Sequence, residues 1–399
     1  MANLLLLIDD YLPDSTRVAA KMMHELAIEL KEQGHSVYVA TPSHLVVSTR
    51  VYELDGISVW QFKSGNVKIP SKIKRAINES LLSFNAWRGL KKQFIGTKFD
   101  GVICYSPSIF WGPLIRRFKH KLRCPTYLIL RDFFPQWAVD AGMIRSGSLI
   151  DRYFRFFENL LYRSAAKIGV MSDENRLLFQ KITKDTFNTE VLQNWASVSL
   201  SKPSAKNNFR LKLGLEKKIV FLYGGNIGHA QDMPVLMRLA QALQSNKNAH
   251  FLFVGQGDQV ELIRTLAEQW NLDNFTYLPS VSQDEFKELL AQVDVGLFSL
   301  SSQHTTHNFP GKLLGYMVNS IPILGCVNKG NDLKPIVVNN NAGFIFDNGE
   351  DDLLHSSALR LIEDISLRKS MGDAARQLLE KEFSVESAAQ KIIDSLQVK

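Results

Sequence analysis

Short apolar runs alternate with longer segments of helical apolar spacing along the whole chain. The run LLLLI at residues 4–8 is followed by helical spacing over residues 15–31, and then by a second apolar run at residues 36–41. Short runs of aliphatic and β-branched residues are typical of parallel strands that are buried on both faces. The alternation therefore predicts an α/β fold with doubly wound parallel sheets.

The same pattern continues to the C-terminus and is interrupted once. Residues 199–208 (SLSKPSAKNN) are polar, contain one proline and indicate a linker. We therefore predict two Rossmann-like domains, residues 1–198 and residues 199–383. Further strands are predicted at residues 101–105, 126–130, 168–171, 190–192, 218–225, 250–255, 274–278, 293–299, 321–325 and 343–346.

Composition narrows the class of protein. At 399 residues the chain exceeds one ordinary core, which agrees with two domains. No apolar run reaches the roughly 18 residues that span a bilayer, and the N-terminus lacks the basic segment of a secretory signal. Cys104, Cys124 and Cys326 lie far apart without metal-type spacing, which indicates a reducing cytoplasm and no zinc site.

The net charge of +7 is concentrated in two basic segments of the first half, residues 63–75 and 116–123. The first segment runs into a stripe that contains Ile77, Phe84 and Trp87. A basic helix with such a stripe suits an anionic membrane surface; a solvated helix packed on the domain core is the alternative. Nucleic acid is not expected as a partner, because no recognised binding module accompanies the charge.

Two glycine-rich loops each follow a predicted strand and precede a predicted helix: YGGNIGHAQD at residues 223–232 and FLFVGQGD at residues 251–258. Glycines in this position let the backbone approach a phosphate, and the helix N–H groups face it. A tight strand–helix turn is the structural alternative. The spacing of a dinucleotide fingerprint is absent, which disfavours a nicotinamide oxidoreductase. The candidate phosphate-binding residues are Gly225, Asn226, Gly228, Gly255 and Gly257.

A third candidate lies in TTHNFPGKLLGYM, residues 305–317, where a polar run ends at Pro-Gly-Lys and a helix is predicted to begin. Gly311 and Lys312 would lie in the first turn of that helix. The helix dipole disfavours a lysine at this end unless an anion accompanies it. We therefore predict that Lys312 contacts a phosphate, with a solvated helix-end lysine as the alternative.

Together these segments resemble the family-4 glycosyltransferases of the GT-B fold over nearly the whole length. In the first domain, YLPDSTR (11–17) and LRDFFPQW (130–137) are similar to the opening loop and the acceptor-side element of the family. In the second, GGNIGHAQ (224–231), VGQG (254–257) and FPGKLLGYM (309–317) occur in the order of the family. Residues 8–17 and 306–312 look most like bacterial O-antigen and capsule transferases that add N-acetyl-L-fucosamine.

The resemblance implies a division of labour between the domains. The first domain would bind the acceptor, a polyprenyl-pyrophosphate-linked saccharide, and the second would bind a UDP-sugar across a cleft. The terminal helix, residues 384–399, would pack back on the first domain. The enzyme would need neither a metal nor another cofactor, and it would work in the cytoplasm, peripherally at the inner membrane.

Further site residues follow from the resemblance. Asp132 and Arg131 would serve catalysis on the acceptor side, although a helix N-cap is an equal alternative for Asp132. Asn331 and Asp332 would contact the donor sugar, with a simple surface turn as the alternative. The acceptor or pyrophosphate contacts of the opening loop would be Ser15, Thr16 and Arg17.

The chain departs from the family at two glutamates. Counting back from Met317, the positions of the two acidic residues hold His307 and Gly315. His307 could contact the donor sugar or take a proton, and Asn308 could share this role. The departures keep two other classes open: a UDP-sugar 2-epimerase of the same architecture, and a non-catalytic subunit that binds a nucleotide sugar.

Overall fold

The computed structural model describes residues 1–15, 17–66, 72–106, 108–140, 142–184, 186–198, 208–302 and 310–397. The chain divides into two compact units, which we call unit 1 and unit 2. Unit 1 comprises residues 1–195 and 385–399, and unit 2 comprises residues 196–384. Most of the predicted linker lies outside the described residues.

Unit 1 is built on an eight-stranded sheet in the order β3-β4-β2-β1-β5-β6-β7-β8. All neighbouring strands are parallel except β3, which pairs antiparallel with β4. The strands are β1 (Asn3–Leu7), β2 (Ser36–Ser43), β3 (Arg50–Leu54), β4 (Ile57–Lys63), β5 (Gly101–Tyr105), β6 (Thr126–Ile129), β7 (Lys167–Val170) and β8 (Thr189–Val191). The helices are α1 (Val18–Glu32), α2 (Lys72–Ser80), α3 (Leu82–Gly96), α4 (Gly112–Arg117), α5 (Gln136–Asp140), α6 (Leu149–Ser164) and α7 (Asp173–Thr183).

Unit 2 is built on a six-stranded parallel sheet in the order β11-β10-β9-β12-β13-β14. The strands are β9 (Ile219–Asn226), β10 (Ala249–Gln256), β11 (Phe275–Leu278), β12 (Val295–Ser299), β13 (Ile323–Val327) and β14 (Gly343–Asp347). The helices of this unit are α8 (Phe209–Leu213), α9 (Met233–Ala242), α10 (Val260–Gln269), α11 (Gln283–Leu290), α12 (Gly311–Val318), α13 (Leu333–Asn339), α14 (Asp351–Glu363) and α15 (Ile365–Leu378). The predicted Rossmann-like architecture is confirmed for both units.

The leucine run of β1 shows why the short apolar segments form central strands. Leu4 and Leu6 face one core cluster, Leu5 and Leu7 face the other, and all four are fully buried. Side chains alternate across a strand, so a strand with helices on both faces needs apolar residues at every position. Each core of unit 1 is therefore organised around the first strand.

The last helix, α16 (Val385–Leu396), belongs to unit 1. Ala389 and Ile392 are fully buried in the same cluster as Leu26 and Leu30 of α1. The Lys391 ammonium also donates a hydrogen bond to the Val191 carbonyl oxygen at 3.2 Å. The chain thus leaves unit 1 after residue 195 and returns to it at residue 385.

Candidate functional site

The carboxyl ends of β9 and β10 in unit 2 carry the two glycine-rich loops side by side. The two strands are in parallel register up to Gly225 beside Gly255 and Asn226 beside Gln256. The Ile227 amide then donates to the Gln256 carbonyl oxygen at 2.9 Å. Carboxyl ends of neighbouring parallel strands are the usual place of ligands in such sheets.

The predicted phosphate-binding positions require glycine for different structural reasons. A Cβ atom on Gly255 would lie 1.8 Å from the Gly225 carbonyl oxygen, and one on Gly257 would lie 2.1 Å from the Ile227 carbonyl oxygen. These two glycines allow the loops to touch each other. A Cβ atom on Gly228 would instead meet side chains, the nearest being the Asn226 amide nitrogen at 2.7 Å.

Gly225 is different, because its open side faces Lys312. Its φ of +118° strongly favours glycine, and an added Cβ would meet only the Lys312 side chain, 3.6 Å from Cε and 3.8 Å from Nζ. Gly311, at the start of α12, has no heavy atom of the described residues within 4 Å of such a Cβ. The backbone is therefore open to a ligand at Gly225 and Gly311.

Lys312 lies in the first turn of α12 and extends over the Tyr223 ring, with its Nζ atom 3.8 Å from the ring centroid. The Phe298 ring lies 5.9 Å from the same atom. Nζ is withdrawn from solvent and has no hydrogen-bond partner among the described residues. Desolvation of the ammonium lowers the pKa of Lys312 to about 7. An anion at this position would stabilise the charged lysine.

Two tyrosine hydroxyl groups fix the structure around Lys312 through hydrogen bonds to backbone carbonyl groups. The Tyr223 hydroxyl donates to the Asn226 carbonyl oxygen at 2.6 Å. The Tyr316 hydroxyl, also on α12, donates to the carbonyl oxygens of Leu222 and Leu297 at 3.0 and 3.1 Å. Helix α12 is thereby attached to β9 and β12, and the direction of Lys312 is set by the sheet. Sequence reasoning missed Tyr223, which looks like an ordinary core residue of a strand.

The first glycine loop contains a pair of side-chain amides. The Asn226 side-chain amide donates to Gln231 Oε1 at 2.9 Å. His229, on the same loop, contacts the Gln259 side-chain amide at 3.1 Å. Lys312 supplies a basic group beside this loop, over the Tyr223 ring of β9.

The two predicted donor-sugar residues, Asn331 and Asp332, differ in burial. Asn331 is buried, its amide donates to Asn328 Oδ1 at 2.9 Å, and its Oδ1 accepts from the Leu333 amide at 3.0 Å. These bonds build the turn before α13, which is the structural alternative stated above. Asp332 is half-buried at the N-cap of α13.

At the carboxyl end of β1, a central strand of the unit 1 sheet, the following loop forms a polar cluster around Asp10. The Ser15 hydroxyl donates to Asp10 Oδ2 at 2.7 Å, and the Arg17 guanidinium lies 3.5 Å from the same carboxylate. Beside them, burial raises the pKa of Asp9 to about 6, with the Asp10 carboxylate adding to the effect. The sequence analysis missed Asp9, because its desolvation follows from the fold.

Arg131 and Asp132 follow β6 but lie in different environments. Arg131 is buried, donates to the carbonyl oxygens of Leu192 and Gln193 at 2.8 and 3.1 Å, and faces the Trp195 ring at 5.5 Å. Burial lowers the pKa of Arg131 to about 10. Two of its guanidinium nitrogens thus bind the backbone of unit 1, and the direct catalytic contact of Arg131 stays a prediction.

The Asp132 side chain is exposed, yet desolvation by the surrounding protein raises its pKa. Helix α5 begins at Gln136, four residues later, so Asp132 is not its N-cap. A carboxyl group with a raised pKa at the end of a parallel strand is suited to accept a proton or to orient a hydroxyl group.

Three predicted site residues, Thr16, His307 and Asn308, lie outside the described residues. Among the described residues, no group of three or more His, Cys, Asp or Glu side chains is placed to hold a metal ion. No described helix is long and apolar enough to cross a membrane.

Comparison with known proteins gives one family. Residues 205–378 match the family model described as "Glycosyl transferases group 1". Over 276 residues the chain is 25% identical to "Probable glycosyltransferase WbjE" of Pseudomonas aeruginosa, which covers 68% of this chain and 67% of that protein. Over 308 residues it is 24% identical to "Putative colanic acid biosynthesis glycosyl transferase WcaI" of Escherichia coli K12, with 72% and 74% covered. The predicted resemblance to group 1 glycosyltransferases is confirmed.

A solved structure with the same fold is that of HepE from Anabaena, in complex with UDP and glucose. The TM-score is 0.66 at 15% identity, and 100% of both chains is covered. At this identity the likeness is one of fold. The predicted GT-B fold is confirmed.

Proposed function

We propose that the protein transfers a sugar from a UDP-sugar to a lipid-linked saccharide, because residues 205–378 match the model of the group 1 glycosyl transferases. The similarity to WbjE and WcaI supports a role in bacterial surface-polysaccharide synthesis, of the lipopolysaccharide or capsule type. The sugar we propose is N-acetyl-L-fucosamine, on the resemblance of residues 8–17 and 306–312. The acceptor is a saccharide on polyprenyl pyrophosphate.

The observation that supports binding of a UDP-sugar donor is the desolvated ammonium of Lys312, which lies beside Gly225 and above the Tyr223 ring. Among the described residues this cation has no hydrogen-bond partner, which raises the free energy of the ligand-free protein, and a diphosphate would relieve this cost. The open backbone at Gly225 and Gly311 leaves room for phosphate oxygens. The solved complex of HepE with UDP supports a uridine nucleotide as the ligand.

In the transfer step, the bond between the anomeric carbon and the diphosphate oxygen breaks and negative charge develops on the leaving UDP. Lys312 stabilises this charge more strongly than it would in water, because its surroundings are of low polarity. The acceptor hydroxyl group bonds to the anomeric carbon and releases a proton. Asp132 orients that hydroxyl group or takes its proton, and His307 and Asn308 contact the donor sugar. Ser15, Thr16 and Arg17 contact the acceptor or the pyrophosphate. The reaction as proposed uses no metal ion or other cofactor.

The donor proposal is tested by thermal shift and calorimetry of the purified protein with UDP, GDP, TDP and NAD. We expect selective stabilisation by UDP, and loss of this stabilisation in Lys312→Met, which keeps most of the side-chain volume and removes the charge. Lys334→Met is the matched control, because that lysine is paired with Asp347 at 3.1 Å on the same unit. Equal UDP stabilisation of all three proteins would contradict the assignment of Lys312.

Turnover assays with a UDP-sugar, in the presence and in the absence of a lipid-linked acceptor, separate the two rival functions. UDP binding without sugar transfer to any lipid-linked acceptor would favour the non-catalytic subunit. Conversion of a UDP-sugar in the absence of an acceptor would favour the 2-epimerase. Both rivals keep the donor site and lack the transfer step.

A further inference from the structure

Helix α6 of unit 1 presents a row of apolar side chains to solvent. Leu149 is 83% exposed, Ile150 60%, Tyr153 42% and Phe156 62%. Leu149, Tyr153 and Phe156 recur at helical spacing on one side of the helix. The segment before the helix adds two more exposed apolar side chains, Trp137 and Met143. Contiguous exposed apolar side chains of this size mark an interaction surface.

The acidic residues of α6 are turned away from that side. Asp151 and Glu158, the two carboxylates of the helix, are buried. Arg155 pairs with both, at 3.4 and 3.0 Å. The Gly147 amide also donates to Asp151 at 2.8 Å, and the Tyr162 hydroxyl to Glu158 at 3.2 Å. The exposed side of α6 therefore carries apolar and basic side chains without a carboxylate of its own.

A basic pocket of about 560 Å³ lies at the C-terminal end of this row. It is lined by Arg116 of α4, by His120 just after α4, and by Phe156, Asn159 and Arg163 of α6. Both arginines are exposed, and the lining residues, all within the described part of the chain, include no carboxylate. Such a pocket offers guanidinium donors to a phosphate group and an apolar wall to the chain attached to it.

The row continues onto the neighbouring helices. The Tyr153 hydroxyl donates to the Ser80 hydroxyl at 2.7 Å, which places α6 against the end of α2. Ile77, Leu81 and Phe84 are exposed there, at 54%, 45% and 60%. We call the exposed residues of α6 together with the basic pocket the α6 surface; the residues around Ser80 extend it.

We propose that the α6 surface docks on an anionic phospholipid bilayer, with a headgroup phosphate in the basic pocket and the apolar row at the acyl boundary. The inference rests on the proposed function only in that a lipid-linked acceptor requires an enzyme at a membrane. Charge complementarity selects this occupant. An excess of arginine beside apolar side chains attracts anionic lipid, whereas a second copy of the same basic surface would be repelled.

The proposal differs from the sequence-based prediction in the element that it uses. The sequence placed the membrane contact on the basic segment before α2 and on the stripe that follows it. In the structure Ile77 and Phe84 of that stripe are exposed, whereas Leu82 and Leu90 of the same segment are buried in the core, and residues 67–71 lie outside the described residues. The sequence of α6 contains two acids among its arginines, so its basic outer side appears only once those acids are seen to be buried.

The test is co-flotation of the full-length protein with vesicles of phosphatidylglycerol and phosphatidylethanolamine, and with vesicles of phosphatidylcholine alone. We expect binding to the anionic vesicles, at least about tenfold tighter than to the neutral ones and weakened by salt. The double variant Arg116→Glu/Arg163→Glu and the double variant Ile150→Ser/Phe156→Ser should each lose about tenfold or more in partitioning.

Matched control variants make the same kinds of change away from the α6 surface. Lys369→Glu/Lys381→Glu makes the same change of charge on exposed residues of unit 2, and Ile365→Ser removes an exposed apolar side chain there. These variants should bind vesicles as the unchanged protein does. All variants should keep the unfolding midpoint and the stabilisation by UDP, which separates loss of docking from loss of folding.

Three results would overturn the proposal: equal binding to neutral and anionic vesicles, equal binding by the α6 variants and the controls, or a dimer in lipid-free solution that Ile150→Ser/Phe156→Ser dissociates. Stabilisation by UDP without vesicle binding would reject the α6 surface and leave the donor assignment intact. Vesicle binding without stabilisation by UDP would reject the donor assignment and leave the α6 surface intact. Binding of inorganic phosphate at low millimolar concentration, equally strong with and without vesicles, would assign the pocket to free phosphate and contradict a bilayer.

Discussion

Lys312 shows how one side chain can prepare a site for a ligand. Its ammonium lies against the faces of two aromatic rings, where cation–π attraction replaces part of the lost hydration. The replacement is incomplete, because burial lowers the pKa to about 7. A dianionic or trianionic ligand reverses the balance, since an opposite charge nearby favours the protonated form. Binding of the donor and protonation of the lysine are therefore linked.

This linkage gives a prediction for the pH dependence of stability. The folded-state pKa of Lys312 is about 7, below its ordinary value of 10.5. Between these two values the unfolded chain binds a proton that the folded chain has released, so the free energy of unfolding should rise with pH, by up to about 1.4 kcal/mol per pH unit from this group. Below pH 7 the lysine is protonated in both states and its contribution no longer changes.

The measurement is denaturant unfolding of the ligand-free protein and of Lys312→Met at pH 7, 8 and 9. The difference between the two proteins isolates the lysine, and we expect the unchanged protein to gain stability relative to the variant as pH rises. Saturating UDP should flatten this difference, because the diphosphate holds the lysine protonated. Parallel pH profiles of the two ligand-free proteins would show that Lys312 keeps its ordinary pKa.

Arg131 and Asp132 are neighbours in sequence with opposite expected effects. Arg131→Met removes two hydrogen bonds to backbone carbonyl groups and leaves those oxygens buried, so we expect a loss of about 2–4 kcal/mol in stability. Asp132→Asn leaves an exposed side chain of the same shape and should keep stability within about 0.5 kcal/mol. If Asp132 acts on the acceptor proton, kcat should fall by about 100-fold or more in Asp132→Asn.

Unfolding midpoints and transfer rates of both variants check this contrast. The rate with Arg131→Lys is a useful control, because a lysine keeps the charge but cannot reproduce the forked geometry. A stable Arg131→Met protein with a large loss of kcat would instead support direct catalysis by this arginine. A fully active Asp132→Asn would remove Asp132 from the mechanism.

At the scale of secondary-structure elements, the short apolar runs predicted the strands that are buried on both faces, such as β1 and β9. They did not predict the hairpin of β3 and β4. The signal was present, because Asp55 and Gly56 form a two-residue turn between apolar segments, and both have positive φ, of 50° and 75°. The helical stripe after residue 72 predicts one helix, whereas the structure has two helices that meet at Leu81.

The candidate site was predictable in part. The sequence located the glycine loops and Lys312, since a lysine in the first turn of a helix is unusual without an anion. It could not separate Gly225 from Gly255, because an approaching phosphate and a neighbouring backbone both require glycine. It also could not find Tyr223, since an aromatic residue in a strand is ordinary core until its ring is seen beneath a cation.

At the scale of the whole molecule, α16 connects the C-terminus to unit 1. Its buried residues face α1, and Trp195 of the same cluster donates from its indole to the Met22 carbonyl oxygen at 2.9 Å. Removal of residues 385–399 exposes this apolar face to water. We therefore expect the truncated protein to lose at least about 10 °C in the unfolding midpoint of unit 1, or to aggregate.

Scanning calorimetry with and without UDP checks the truncation. The transition of unit 2 should remain, together with its stabilisation by UDP, because every residue of unit 2 is retained. Indole fluorescence of the truncated protein should shift to longer wavelength as the environment of Trp195 becomes wet. An unchanged midpoint and emission would show that α16 contributes little to unit 1.

The return of the chain to unit 1 also makes unit 2 an insertion in the topological sense. Ala196 and Ser384, its first and last residues, form a parallel β-bridge, and the Ala196 amide donates to the Phe383 carbonyl oxygen at 2.9 Å. The two ends of the insertion thus lie side by side. The chain can be cut at these ends, or the ends can be joined to each other, without a connection that crosses a sheet. A gene encoding this fold can exchange the whole insertion through two cut points, which makes one module replaceable while the sequence of the other stays intact.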